Sequence, residues 1–293
     1  MESQSQPSPR PRPSANGAAA APKRMPVDAG GFVTLPWHHD AELALHTHRI
    51  VLMVGEPGAG KTEFLQRHCR TTTGRPAEEL QGGPKVDDLS FFGRYTLAGD
   101  TTIFVDGPLS RALKTGTWFV LNDAGQVPFA QLSALLAVRH GSHVVNPISQ
   151  ESLPIPQGFR LALTTNRENA ACRNNTTAMQ SLLDGALVVD VPEPGAPEIT
   201  AMLQAHLPTL PRAQVDRLLK IRERFVNLSE KESDRHKVQV GIRAMLQLAT
   251  LLEVGMNETE AIAQAIVGKF LLNKDQYDAA RLTNQLRVGG ASL

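Results

Sequence analysis

A glycine-rich segment ending in Lys61-Thr62 constrains this chain more than any other feature of its sequence. Residues 55–62 read GEPGAGKT, which has the spacing G-x-x-x-x-G-K-T. The apolar run 50–54 precedes them with the length and β-branched content of a strand. Residues 63–68 contain no breaker and continue as the first turns of a helix. This order of strand, glycine-rich loop and helix is the context that a phosphate-binding P-loop requires.

The chemistry of phosphate binding explains why these residue types occur together. Glycine lets the backbone curl until successive N–H groups point at phosphate oxygens, and the helix N-terminus adds partial positive charge. We expect Lys61 to reach the β- and γ-phosphates of ATP and the Thr62 hydroxyl to ligate Mg²⁺. The predicted nucleotide-binding residues of this loop are Gly55, Glu56, Pro57, Gly58, Ala59, Gly60, Lys61 and Thr62.

Composition argues against several other classes of protein. The net charge of +1 creates no strong field that would favour nucleic acid or an anionic membrane. Two cysteines imply no disulfide framework, and no apolar run has the length of a membrane span or a signal-peptide core. We therefore expect a protein of the reducing cytoplasm. The spacing of His38, His39, His46 and His48 matches no zinc template, so we interpret them as core or solvated side chains.

Composition and periodicity divide the chain into three parts. Residues 1–30 are rich in Pro, Ser, Ala and Gly and are expected to form a disordered tail. Residues 31–195 alternate strand-like runs with helical segments, which predicts an α/β fold with a doubly wound parallel sheet. Residues 196–293 carry helical periodicity in several segments, up to a last one at 277–288, and predict a helical domain.

Several connections within the α/β part carry their own signals. Residues 74–88 are polar and rich in turn formers, so we expect a loop there. Two hairpins are expected, one around Gly99-Asp100 and one between residues 142 and 155. Asn122 and Asp123 follow the buried run 118–121, whose carboxyl end should face the P-loop crevice. P-loop ATPases normally have there an acid that holds Mg²⁺ through water, often followed by a second that activates the attacking water.

The order of these pieces resembles the AAA+ ATPase module and, within it, the MoxR and dynein/midasin-related clade. Beside the P-loop, the resemblance is carried by the DL and GR pairs within 88–94, DGPL at 106–109 and GTWFVL at 116–121. DGPL is most similar to the NirQ/NorQ/CbbQ group. The resemblance implies a nucleotide crevice under a helical lid and a ring, usually a hexamer. It also implies a remodelling or metal-insertion chaperone, often beside a von Willebrand A-type partner.

The resemblance also gives roles to single residues. Asn166 matches the sensor 1 residue that orients the attacking water, and Arg243 matches the sensor 2 arginine that contacts phosphate. One alignment places Asn122 at the Mg²⁺-associated acid and Asp123 at the catalytic acid. A shift by one residue would instead make Asp123 the metal acid and leave Ala124 at the catalytic position. The predicted catalytic residues are Asp123, Asn166 and Arg243, and the predicted metal site is Thr62, Asn122 and Asp123.

Two departures from the family pattern concern hydrolysis. A neutral amide at Asn122 stabilises Mg²⁺ less than a carboxylate, and Asp123 is one methylene shorter than glutamate. The family's arginine finger precedes the last strand, where this chain has Gly185-Ala186, with Arg167 and Arg173 upstream as candidate substitutes. Two functions are therefore open. One is an ATPase that remodels a protein partner, and the other is a hydrolysis-impaired ATP-binding sensor or structural ring subunit.

Overall fold

The structure is a computed structural model that describes residues 25–28, 30–167, 184–230 and 240–268. In chain order the strands are β1 (Ile50–Gly55), β2 (Glu78–Gln81), β3 (Gly93–Ala98), β4 (Thr101–Asp106), β5 (Phe119–Asn122), β6 (His143–Val145), β7 (Ser152–Pro154), β8 (Leu161–Thr165) and β9 (Ala186–Val191). The α-helices are α1 (Pro36–Thr47), α2 (Lys61–Thr73), α3 (Asp88–Phe92), α4 (Pro108–Thr115), α5 (Phe129–His140), α6 (Ala196–His206), α7 (Arg212–Glu230), α8 (Ile242–Glu253) and α9 (Glu258–Ile262). A 3₁₀ turn covers Ala124–Gln126, and a π-helical turn covers Ala263–Val267.

A five-stranded parallel sheet in the order β2-β5-β8-β1-β9 forms the centre of the fold. Ile50 at the start of β1 lies opposite Leu161 of β8 on one side and Ala186 of β9 on the other. β1 and β8 are buried almost throughout, as expected for strands covered on both faces. The predicted α/β class with a parallel sheet is therefore confirmed. Because the strands run in one direction, the loops that follow β1, β5 and β8 meet at one edge of the sheet.

The edge strand β2 is the main departure from the sequence-based expectation, which placed a loop over 74–88. Residues Glu78–Gln81 pair with β5, so that Glu79 lies opposite Val120 and Gln81 opposite Asn122. Leu80 packs against the hydrophobic core, while the remaining residues of the strand are polar. A strand with one apolar residue carries almost no hydrophobic signal, and backbone pairing at the sheet edge decides its structure.

Helix α1 was not predicted either, and β5 begins one residue later than expected. Pro36 occupies the first turn of α1, where its missing N–H costs nothing. Trp37 and Leu45 on its buried face belong to the core cluster that contains Val51 and Phe64. The shift of β5 makes Asn122 the last residue of the strand.

Two antiparallel hairpins accompany the sheet, β3 with β4 and β6 with β7, as the turn signals predicted. Apolar side chains remain exposed on the first hairpin at Tyr95, Leu97, Ile103 and Val105. Within the part of the chain that the structure describes, no helix combines the length and apolar character needed to cross a membrane.

Helices α6 to α9 form a hydrophobic core separate from the two clusters on the faces of the sheet. Its largest fully buried side chain is Phe225, which packs among Leu218, Met245 and Leu248. Burial of such a side chain contributes about 1.5–3 kcal/mol. The predicted helix at 277–288 and residues 1–24 of the predicted tail lie outside the described residues, and the domain limits at 30/31 and 195/196 stay predictions.

Candidate functional site

The P-loop connects β1 to α2. Gly58 and Gly60 have positive φ angles of 83° and 87°, a backbone conformation that glycine adopts without strain. The loop therefore turns sharply before Lys61 begins α2. No side chain caps this helix, so its first N–H groups remain available to a ligand. A helix N-terminus with these properties binds anions.

Lys61 is buried, and its ammonium donates to the carbonyl oxygens of Gly55 at 2.8 Å and Glu56 at 2.9 Å. Burial lowers the pKa of Lys61. Asp123 and Glu56 oppose that shift, and the nearby Arg243 adds to it. A buried ammonium beside another cation is stabilised by an anion, so this end of the loop favours a negatively charged ligand.

A cavity of about 400 Å³ opens above the P-loop, between the sheet and the helical domain. The predicted site residues that line it are Pro57, Gly58, Ala59, Gly60, Lys61, Thr62, Asn122, Asp123, Asn166 and Arg243. Gly55 contributes the carbonyl that holds Lys61, and Glu56 lines a smaller adjoining cavity with Arg243. The structure thus brings the predicted site residues together around one space.

Phe32, Val33, Leu35 and His38 form an apolar and aromatic part of the cavity wall, its aromatic end. His38 stacks between Phe32 and Phe64, with ring centroids 5.1 Å and 4.7 Å away. Burial lowers the pKa of His38 to about 4, and its Nδ1 accepts the N–H of Leu35 at 3.1 Å. The ring is therefore neutral at physiological pH and acts as a core side chain, as interpreted from the sequence. Its place on the cavity wall was not predicted, because nothing in the sequence near it signals a ligand.

Asn122 lies at the centre of a hydrogen-bond network beside the P-loop helix. Its Oδ1 accepts from the hydroxyls of Thr62 at 2.7 Å and Thr164 at 3.2 Å, and its Nδ2 donates to Glu79 at 3.1 Å. Within the described ranges, no three His, Cys, Asp or Glu residues cluster in a way that could hold a metal. The oxygen atoms of Thr62 and Asn122 do fit Mg²⁺ on a nucleotide, because that ion takes few protein ligands and completes its shell with phosphate and water.

Asp123 follows β5 in the left-handed conformation, with φ 47° and ψ 46°. Its carboxylate accepts from Nε2 of Gln81 at 2.7 Å, and its N–H donates to Thr164 at 3.2 Å. Gln81 thus holds the side chain of Asp123 and Thr164 holds its backbone, on the wall of the cavity. Gln81 and Glu79 were missed in the sequence because they lie in β2, which was predicted as a loop. Their two-residue spacing was the only signal that they share a face.

Arg243, near the start of α8, extends the cavity wall from the helical domain. A Cβ atom on Gly58 would lie 3.4 Å from its Cγ, so the two residues lie close together. Gly241 approaches the P-loop as well, since a Cβ there would lie 3.3 Å from the carbonyl oxygen of Pro57. The helical domain thus touches the loop directly, and a ligand on the loop would contact both parts of the chain.

Of the two candidate arginine fingers, only Arg167 belongs to the residues that the structure describes. It forms an ion pair with Asp190 of β9 and is not among the residues that line the cavity. Arg173 lies outside the described residues. At Gly185, a Cβ atom would meet the side chain of Arg139 from α5. A larger residue at the finger position would therefore displace the Arg139 side chain from its present place.

The comparison with protein families agrees with this geometry. Residues 50–183 match the family model of the AAA domain, dynein-related subfamily, and this range includes the P-loop, β5 and β8. These residues are therefore similar to an AAA domain. The resemblance to AAA+ ATPases of the MoxR and dynein/midasin-related clade is confirmed, together with the P-loop NTPase fold of this domain.

The relatives of this chain are similar to it over different lengths. Protein NorQ of Paracoccus denitrificans is 27% identical over 256 residues, which cover 86% of this chain and 88% of that protein. Midasin of Dictyostelium discoideum is 23% identical over 175 residues, and the matched part is 3% of midasin. Among solved structures, NtrX from Brucella abortus with ATP has a TM-score of 0.43 at 15% identity, covering 78% of this chain and 49% of that one. A likeness at that level bears on neither ligand nor assembly.

Proposed function

We propose that this protein is an ATP-binding AAA+ ATPase that assembles into a ring and remodels a protein partner. The observation that carries the proposal is the cavity in which the P-loop, the ends of β5 and β8, and Arg243 of the helical domain meet. A ligand that binds the loop and Arg243 together couples its own chemistry to the position of the helical domain. That coupling is what a nucleotide-driven machine requires.

ATP fits the cavity with its phosphates on the P-loop and its base at the aromatic end. The uncapped N-terminus of α2 donates N–H groups to phosphate, and Lys61 exchanges its carbonyl partners for phosphate oxygens. Phe32 and His38 offer ring edges to the base, because the faces of the His38 ring are covered by Phe32 and Phe64. Mg²⁺, held by the Thr62 hydroxyl and through water by Asn122, would neutralise phosphate charge. The contact between Thr62 and Asn122 favours the alignment that puts Asn122 at the metal position.

Hydrolysis needs a base, a residue that orients the water and a cation for the transition state. Asp123 is the proposed base and Asn166 the proposed orienting residue, because both line the cavity. The short Asp123 side chain is bound to Gln81, and Arg167 is paired with Asp190. We therefore propose that turnover is slow in the isolated chain and rises when a neighbouring subunit or partner donates an arginine.

These same features favour the second candidate function, a nucleotide sensor or structural subunit with impaired hydrolysis. Steady-state ATP turnover, with and without candidate partners, separates the two functions. A von Willebrand A-type partner and a metal-insertion role are supported by the family resemblance alone.

The experiment that tests binding and assembly is titration with fluorescent ATP followed by sedimentation of the protein with and without ATP. We expect micromolar or tighter binding and a larger species with ATP. Absence of ATP binding contradicts the proposed function, and a monomer in both states at micromolar protein contradicts the ring.

A further inference from the structure

Asn122, the residue beside the expected Mg²⁺ position, is a neutral amide. A Mg²⁺ site normally includes a carboxylate, so its negative charge must come from another residue. Asn122 contributes no charge, yet its Nδ2 donates to Glu79 Oε2 at 3.1 Å. Glu79 belongs to β2, the strand next to β5, and shares a face with Gln81, which holds Asp123. The carboxylate absent from the end of β5 therefore has a counterpart one strand away, in direct contact with the amide.

A carboxylate partner also determines which way the amide points. Ionised glutamate only accepts hydrogen bonds, so Glu79 binds the NH₂ group of Asn122 and turns the amide oxygen away from itself. That oxygen then faces the hydroxyl of Thr62 at 2.7 Å. In the reverse orientation the NH₂ group would face the metal position, where it cannot act as a ligand. The glutamate thus selects the orientation of Asn122 in which an oxygen is available.

Glu79 is itself held from a second side by Gln66 of α2. The Nε2 of Gln66 donates to Glu79 and to the carbonyl oxygen of Ala77 at 3.0 Å, while its Oε1 accepts the N–H of Ala77 at 3.0 Å. The amide of Gln66 is therefore fixed by backbone, and it fixes the carboxylate in turn. Because α2 begins next to Thr62, the chain of contacts closes around the metal position.

We propose that Glu79 is the positioning residue of the magnesium site, which orients the Asn122 oxygen and supplies its negative charge from the neighbouring strand. Together Glu79 and Asn122 carry the single charge that one aspartate would carry. The hydrogen bond to a carboxylate polarises the amide and makes its oxygen a better acceptor for Mg²⁺ or its bound water. This inference rests on the proposed nucleotide function.

The test measures the affinity of the protein–ADP complex for Mg²⁺, using fluorescent ADP in EDTA and in a MgCl₂ titration. Glu79→Gln keeps the shape of the side chain and removes its charge. Loss of a group that orients a metal ligand lowers metal affinity about 10-fold or more, so we expect that loss here. ADP affinity in EDTA should stay at the wild-type value.

The neighbouring Glu78 offers a matched control. It is the same residue type on the same strand, but its side chain lies on the other face and pairs with Arg111 at 2.8 Å. Glu78→Gln should leave the Mg²⁺ affinity unchanged. Thermal unfolding of all variants checks that β2 remains folded.

An exchange of the two residues distinguishes positioning from a purely structural role. In the double variant Glu79→Gln with Asn122→Asp, the charge moves to residue 122 and the new glutamine can donate to it. We expect Mg²⁺ affinity to return toward the wild-type value. If Glu79 only held β2 against α2, Glu79→Gln would lower Mg²⁺ affinity by the same factor in the Asn122→Asp background as in the wild type.

Wild-type Mg²⁺ affinity in Glu79→Gln overturns the inference, as does a double variant no better than the single one. Both results leave nucleotide binding intact and affect only the role of Glu79. If the wild-type chain binds ADP neither in EDTA nor in MgCl₂, the proposed function fails, and this inference fails with it.

Discussion

Strands β1 and β5 both end at the cavity. The residues that follow β1 keep the family pattern more closely than those at the end of β5. At the end of β1, the glycines, Lys61 and Thr62 all follow it, and the loop has the positive φ angles that the motif requires. At the end of β5, the acid pair is replaced by Asn122 and Asp123. In the proposed function, the first region would bind phosphate through backbone N–H groups and one ammonium. The second would depend on carboxylates to hold the metal and activate water.

It follows from this difference that binding and hydrolysis rest on separate parts of the structure. Backbone geometry and a buried lysine suffice for phosphate affinity. The proposed turnover depends on a negative charge beside Mg²⁺ and on a carboxylate long enough to reach the attacking water. Asn122 lacks the charge, and Asp123 is one methylene shorter than glutamate. Each region can therefore be changed without the other.

The largest effect is expected from Lys61→Ala, which removes the ammonium from the binding side. Hydrogen bonds to charged groups contribute about 1.5–3 kcal/mol each, so loss of two lowers ATP affinity by roughly 10²-fold or more. Titration with fluorescent ATP measures this. Lys114→Ala is the control, because Lys114 pairs with Asp106 and Glu151 outside the cavity. Equal ATP binding by Lys61→Ala and wild type would show that the P-loop assignment is wrong.

The aromatic end of the cavity makes the stability of the binding side depend on pH. His38 has a pKa of about 4 when folded, against its ordinary value of 6.5. Between these pH values the unfolded chain binds a proton at His38 that the folded chain does not bind. The contribution of His38 to stability is therefore fully present above pH 6.5 and is lost as the pH falls toward 4. The loss amounts to roughly 3 kcal/mol in the free energy of unfolding.

Denaturant unfolding between pH 4 and 7 measures this contribution. His38→Asn should flatten the pH dependence, because asparagine can accept the Leu35 N–H without titrating. His39→Asn serves as control, since His39 is exposed. A pH dependence unchanged in His38→Asn would contradict the assignment of this contribution to His38.

On the hydrolysis side, Asp123→Ala should remove the turnover that the wild type has and leave ATP affinity unchanged. General bases contribute about 10²–10⁴ in rate, and a short, hydrogen-bonded aspartate belongs at the low end. Phosphate release measures the effect, with Asp100→Ala on the β3–β4 turn as control. Wild-type turnover in Asp123→Ala would mean that Asp123 has no catalytic role, and the sensor function would then be preferred.

The fold was largely predictable because its strongest signals are local. The apolar run before the P-loop and the run before Asn122 are long enough to indicate buried strands, and the helical periodicity after residue 195 indicates a second core. β2 could not be predicted, since Glu78–Gln81 has one apolar residue and its structure comes from pairing with β5.

The site was predictable to the same extent and for the same reason. Residues within a motif, such as Lys61 and Thr62, were predicted from spacing alone, and both line the cavity. Glu79 and Gln81 were not, because their role comes from lying beside Asn122 and Asp123 in a neighbouring strand. The close approach of Arg139 to Gly185 is likewise a long-range contact that sequence does not show.

The smallest effect is expected when the hydrolysis side is brought back to the family pattern by Asn122→Asp with Asp123→Glu. The restored acids should raise turnover, because aspartate can hold Mg²⁺-bound water by charge and glutamate reaches further. An arginine finger is worth about 10³–10⁵ in rate, so the gain stays modest in its absence.

The contact with Glu79 makes this prediction more specific. In the double variant, Glu79 and the aspartate introduced at position 122 become two carboxylates at the place of a hydrogen bond 3.1 Å long, and their repulsion disfavours ionisation of one of them. Adding Glu79→Gln replaces that repulsion with a donor. The triple variant should therefore turn over ATP faster than the double variant, as measured by phosphate release at saturating MgATP. If the triple variant is no faster, charge at the end of β5 does not limit hydrolysis, and the supply of an arginine finger becomes the step to test.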